Sequence, residues 1–176
     1  MADLLSAIRS GRKRWRLGLI NGPNMAHLEN REKDRFGSLG TIKDLEARVR
    51  ALAENLGVDL VRTCVSNHEG EILDWIQTQT DDLDAVIVNP AGLTWSGEAT
   101  RHALYDSGLP VVEVHFAYPG KRGKPSIFSD AVVGTCQGLR KHSYTAALVA
   151  LVAMLDDGDF QRPALYAERK ERLKID

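Results

Sequence analysis

Short apolar runs alternating with helical periodicity constrain this chain more than any other feature. Leu17-Gly18-Leu19-Ile20 stops at the turn Asn21-Gly22-Pro23, as a strand buried on both faces does. Thr41, with Asp44 three residues on, then reads as the cap of a helix. Leu45, Val49, Leu52 and Leu56 recur at helical spacing and Gly57 ends the run. The alternation continues with a strand over 58–64, a helix over 70–79 carrying Ile72, Leu73 and Ile76 on one face, and a strand over 85–88 that ends at Asn89-Pro90. A helix over 96–107 and a strand over 110–115 come next. A fifth strand is expected at 131–134 and a last helix, apolar nearly all round, at 144–155.

Strands apolar on both faces, each followed by a helix, belong to a parallel sheet covered on two sides. The expected fold is α/β: a flavodoxin-like, doubly wound, five-stranded parallel sheet in three α/β/α layers. In that architecture ligands bind beyond the carboxyl ends of the strands, where the strand order reverses. The segments 21–36, 89–96 and 115–124 are therefore expected to converge on one site. Residues 15–158 form the expected domain, between a charged N-terminal arm at 1–14 and a charged C-terminal tail at 159–176. These arms read as solvated tails or surface helices.

Composition narrows the function. The 176 residues carry 23 Lys and Arg against 24 Asp and Glu, a net charge of −1. That balance gives no electrostatic reason for a nucleic-acid or membrane-surface partner. The longest apolar run, at 146–155, is about half of a bilayer span. Cys64 and Cys136 stand far apart with no Cys-x-x-Cys pair, which points to two reduced cysteines. The basic N-terminus, with Arg9, Arg12, Lys13, Arg14 and Arg16, lacks the apolar stretch of a secretory signal, so a cytoplasmic location is expected. No glycine-rich phosphate loop follows the first strand, so neither nucleotide nor flavin is expected. His68 with Glu69 and Glu71 reads as a helix N-terminus rather than a metal site. His27 and His142 read as surface residues, Trp75 as core and Trp95 as a pocket wall.

Five blocks then become specific: Asn21-Gly22-Pro23-Asn24, Arg31-Glu32 before Phe36-Gly37-Ser38, Ser66-Asn67-His68-Glu69-Gly70-Glu71 leading into Asp74-Trp75-Ile76, Asn89-Pro90, and Val112-Glu113-Val114-His115. In order and spacing over about residues 17–155 the chain resembles type II 3-dehydroquinate dehydratase. The resemblance implies an enzyme without cofactor or metal, a small-molecule substrate, and a homo-oligomer of trimers that builds a dodecamer. It implies anti elimination of water through an enolate. A tyrosine is the base, aided by an arginine; an asparagine holds a water on the enolate oxygen; a histidine, oriented by a glutamate, protonates the leaving hydroxyl. Carried onto this sequence, Asn24 matches the water-holding asparagine, Arg31 the arginine, Glu113 the orienting carboxylate, His115 the acid and Asn89 a substrate-anchoring asparagine.

Departures gather at the expected pocket. Phe36 occupies the position of the tyrosine base and has no ionisable atom. Leu93 replaces a frequent tyrosine, Trp95 a substrate-binding histidine, and His102 an aspartate that reaches a neighbouring subunit's site. Phe116 and Ala117 replace a small aliphatic residue and a serine. The lid segment 118–125 is shorter than usual; it keeps Arg122 and has no clear match for the second arginine, for which Lys124 is a poor substitute in bidentate contacts. Three functions stay open on these residues. One is a dehydratase whose base is a water held by Asn24 and Arg31, or a neighbour's His102. Another is a relative adapted to dehydration, cyclisation or isomerisation of a flatter, aromatic or polyketide-like molecule. The last is a non-catalytic oligomeric binder.

Overall fold

A computed structural model describes residues 2–32 and 38–174. Its centre is a sheet of five parallel strands in the order β2-β1-β3-β4-β5. The strands are β1 (Arg16–Asn21), β2 (Asp59–Val65), β3 (Ala85–Asn89), β4 (Val111–His115) and β5 (Gly134–Gln137). The helices are α1 (Ala2–Ile8), α2 (Ile42–Asn55), α3 (Glu69–Gln79), α4 (Glu98–Asp106), α5 (His142–Asp156) and α6 (Tyr166–Leu173). This is the expected doubly wound order, with its reversal between β1 and β3.

Side-chain alternation along the strands divides the core into two layers. Leu17, Leu19, Ala85, Ile87, Val112 and Val114 pack with Leu45 and Val49 of α2 and with Leu148, Leu151 and Val152 of α5. Ile20, Val86, Val88 and Val111 face the other way, onto Ile72 and Ile76 of α3 and Leu104 of α4. Trp75 packs at the edge of this second layer, as expected of a core residue. The capping box at Thr41 is formed in both directions, with Asp44 N–H donating to Thr41 Oγ1 at 3.1 Å and Thr41 N–H to Asp44 Oδ2 at 2.8 Å. Such caps stabilise a helix by about 1 kcal/mol.

One expectation needs correction, and the structure chooses between the alternatives for the arms. The fifth strand is Gly134–Gln137, three residues later than the apolar run at 131–134 suggests. A single 3-10 turn, Ile127–Asp130, hands the chain to Ala131 and Val132, whose side chains fill the α3/α4 layer instead of entering the ladder. The ladder starts as Val133 N–H donates to the Val111 carbonyl at 2.8 Å, and β5 itself is a half-buried edge strand with a weak apolar signal. The arms carry the surface helices α1 and α6, and side chains from them fasten to the domain. Arg9 reaches Asp156 at 2.5 Å with both side chains buried, and Trp15 Nε1–H donates to the same carboxylate at 2.7 Å. From α6, Arg169 is buried and donates to the Ser107 carbonyl at 3.1 Å and to that of Thr80. Cys64 and Cys136 are free thiols; burial, reinforced by Glu71, pushes Cys64 up to about 11. Among the described residues no helix is long and apolar enough to cross a membrane.

Candidate active site

β4 carries a buried histidine–glutamate pair. Residues two apart on a strand share a face, so Glu113 and His115 stand side by side, and His115 Nε2 lies 2.6 Å from Glu113 Oε1. Glu113 is 1% exposed and His115 7%. A carboxylate this dry keeps its energetic balance only when it is paired; the imidazole is that partner.

β1 delivers the opposite wall through a tight turn. Gly22 N–H donates to the Asn89 carbonyl at 2.8 Å, and a Cβ at Gly22 would collide with the Pro90 carbonyl oxygen. Asn24 takes a left-handed conformation, φ +73°, which asparagine tolerates better than other side-chain-bearing residues. Its N–H donates to Asn67 Oδ1 at 2.8 Å, so the Ser66-Asn67-His68 block clamps the turn from outside the pocket. Gly92 N–H donates to the Pro23 carbonyl at 3.2 Å, tying the β3 loop to the same turn. Arg31 Nη1 points to the Asn24 carbonyl at 3.5 Å. The neighbouring acids are engaged elsewhere: Glu69 accepts from Thr100 N–H and Oγ1, and Glu71 accepts from Ser66 Oγ.

A cavity of about 220 Å³ opens between these walls. Asn24, Met25 and Arg31 line it from the β1 loop, and Asn89, Ala91, Gly92, Thr94 and Trp95 from the β3 loop. His115, Phe116, Ala117 and Pro119 complete it after β4. The three segments expected to converge do so within the described residues. Trp95, 36% exposed, stands at the mouth with its indole N–H 3.3 Å from the Lys124 carbonyl. Phe116 packs on Tyr144, ring centroids 5.3 Å apart.

Not every expected residue lines this cavity. Leu93 packs against the α3/α4 layer instead, and His102 stands exposed on α4, 3.9 Å from Glu98. Glu113 reaches the site only through His115. Phe36 lies outside the described residues, as does the side chain of Arg122. The expectation passed over Met25, Thr94 and Tyr144. Tyr144 gave one signal: a lone hydroxyl-bearing ring at the start of an apolar helix. Its hydroxyl is buried between Asn89 Nδ2, 2.8 Å away, and Asn21 Oδ1, 2.6 Å away.

Residues 15–152 match the family described as class II dehydroquinase. The chain belongs to this family. Among relatives of the class II dehydroquinases, "Catabolic 3-dehydroquinase 1" of Neosartorya fischeri is 40% identical over 134 residues, 74% of this chain and 87% of that protein. The "3-dehydroquinate dehydratase" of Halorhodospira halophila is 36% identical over 141 residues, 78% of this chain and 94% of that protein. The crystal structure of the type II dehydroquinase from Propionibacterium acnes superposes with a TM-score of 0.73 at 31% identity, covering 81% of this chain and 99% of that one. The dehydroquinase match ends before the segment that carries Arg169 and α6.

Proposed function

We propose that this class II dehydroquinase family member is a cofactor-independent hydro-lyase that removes water from a cyclic hydroxy-ketone such as 3-dehydroquinate. One observation carries the proposal: a buried His115–Glu113 pair, 2.6 Å apart, opens on a cavity whose far wall holds Asn24 and Arg31. Expelling hydroxide near neutral pH needs a proton donor, and imidazole titrates in the right range. His115 is that acid, and Glu113 holds its ring and stabilises the imidazolium. Loss of a proton beside the ketone builds charge on the carbonyl oxygen, which needs preorganised donors. Asn24, by way of a bound water, and Arg31 supply them.

The base is a water held by Asn24 and Arg31, or His102 of an adjoining subunit, since Phe36 cannot accept a proton. Tyr144 is unsuited to the task. Burial holds its phenol well above the ordinary tyrosine range and its proton is engaged with Asn21. The same reading has the chain assemble as trimers and then a dodecamer, which would bring His102 on the exposed face of α4 to a neighbour. Purified protein mixed with 3-dehydroquinate should produce the absorbance of the conjugated enone. A rate equal to that of His115→Ala would overturn the assignment.

A second reading has its own support. Trp95, Phe116, Ala117, Ala91 and Pro119 give the cavity aromatic and apolar surface, which suits a flatter ring than a polyhydroxylated one. In that case aromatic acids will raise the melting temperature more than 3-dehydroquinate does.

A further inference from the structure

Beneath the cavity runs a buried polar chain whose direction is fixed at one end. The Ala91 backbone N–H can only donate, so the Asn89 atom 3.0 Å from it is the carbonyl Oδ1. Asn89 Nδ2 therefore faces Tyr144 Oη, 2.8 Å away, and donates to it. The Tyr144 hydroxyl passes its own proton on, to Asn21 Oδ1 at 2.6 Å. Asn21, Asn89 and Tyr144 are 0%, 2% and 1% exposed, so water does not compete for these bonds. Asn89 cannot turn over without setting its Nδ2 against the Ala91 N–H. Asn21 Oδ1 is the acceptor that the Tyr144 proton requires, and Asn21 Nδ2 is buried without a hydrogen-bond partner among the described residues. The second Nδ2 hydrogen of Asn89 has only the weak acceptor Met25 Sδ, 3.6 Å away, and both residues line the cavity.

We propose that Tyr144 is a positioning residue that locks Asn89 as a hydrogen-bond donor toward the ligand, so the cavity floor recognises an acceptor oxygen such as a ketone or carboxylate. The inference rests on the reading of this cavity as the substrate site. It assigns Asn89 a polarity: its carbonyl is held by Ala91, and only N–H is left for the ligand. Without the Tyr144 hydroxyl the Ala91 N–H still fixes the polarity of the amide, but Nδ2 loses the bond that aims its second hydrogen at the cavity, and the preference for an acceptor weakens.

Tyr144→Phe keeps the ring against Phe116 and removes only the hydroxyl. Calorimetric titration with 3-dehydroquinate should show affinity falling about tenfold, the loss of one directed hydrogen bond of roughly 1.4 kcal/mol. Leu148→Ala, a cavity in the same helix face, should lower the melting temperature at least as much and leave affinity unchanged, which separates positioning from stability. Equal affinity loss in both variants, or none in Tyr144→Phe, overturns the proposal. Should wild-type protein not bind 3-dehydroquinate, the proposed function falls, and the side-chain amide of Asn89 decides the inference by NMR. Slow hydrogen exchange of that amide in wild type, lost in Tyr144→Phe, supports the lock; identical exchange in both refutes it. If Tyr144→Phe does not fold, Asn21→Leu removes the terminal acceptor with little change in volume, and the same outcomes apply.

Discussion

Replacing Glu113 by glutamine separates the charge of the His115–Glu113 pair from its shape. Glutamine retains the length and a carbonyl oxygen that can accept from His115 Nε2–H, so the ring stays in place. What disappears is the negative charge facing the imidazolium. A hydrogen bond to a charged group contributes about 1.5–3 kcal/mol and a neutral one about 1 kcal/mol. The pair is 2.6 Å apart and both residues are over nine-tenths buried, so solvent and salt screen it little. The loss therefore lies near the upper difference, about 2 kcal/mol. Because that charge keeps the proton on the imidazole, about 2 kcal/mol lost means up to about 30-fold less enzyme carrying a competent acid, and kcat for water elimination should fall by up to that factor. Glu113 does not line the cavity, so ligand contacts are kept and KM should hold within about twofold while kcat falls. Steady-state kinetics from the enone absorbance, with a melting curve to confirm the fold, measure both. An unchanged kcat in folded Glu113→Gln would refute the assignment of Glu113 as the group that charges and orients His115.

Other perturbations test other links. Burial pushes the Asp156 carboxyl up, but hydrogen bonds from Arg9, Trp15 and the Gly11 N–H outweigh it and hold the group below its ordinary value. A carboxyl lowered in the folded state stabilises the fold above the unfolded pKa of about 3.9 and loses that contribution as pH falls through the folded value. Asp156→Asn should lower stability at pH 7 by about 3 kcal/mol and flatten the acid side of the melting profile. A fall of about 6–12 °C in melting temperature is expected; no change would mean that the arms are not fastened by this bridge. Gly22→Ala forces a methyl against the Pro90 carbonyl oxygen and should cost about 1–3 kcal/mol in urea unfolding, with a further drop in ligand affinity as the Asn24 turn shifts. Phe36→Tyr, which restores an ionisable ring, should raise turnover of 3-dehydroquinate by about 10²-fold. No gain would show that recognition has changed along with the base.

The sheet was legible because each buried strand leaves an unbroken apolar run and each helix a cap or a terminating glycine. The face-sharing of Glu113 and His115 followed from the same strand geometry, as did the convergence of the three loops at the order reversal. Legibility ended where tertiary packing overrides local signal. Ala131 and Val132 look like strand but belong to the α3/α4 core, so β5 begins three residues later. The charged arms stayed open between solvated tail and surface helix because composition does not reveal that Asp156 and the carbonyls of Ser107 and Thr80 wait for Arg9 and Arg169. Leu93 sits in a pocket-forming loop yet turns inward, since loop residues carry no periodicity to set their direction. Tyr144 was submerged in an apolar helix, its partners Asn21 and Asn89 lying 123 and 55 residues away in the chain.

A leaving group that needs no proton isolates the role of the imidazole. For 3-dehydroquinate, His115→Ala should reduce the elimination rate by about 10²–10⁴-fold. For the analogue with fluoride in place of the departing hydroxyl, the same variant should lose no more than a few-fold. Equal losses on both substrates would contradict the account, because His115 would then serve some step other than protonation of the departing oxygen.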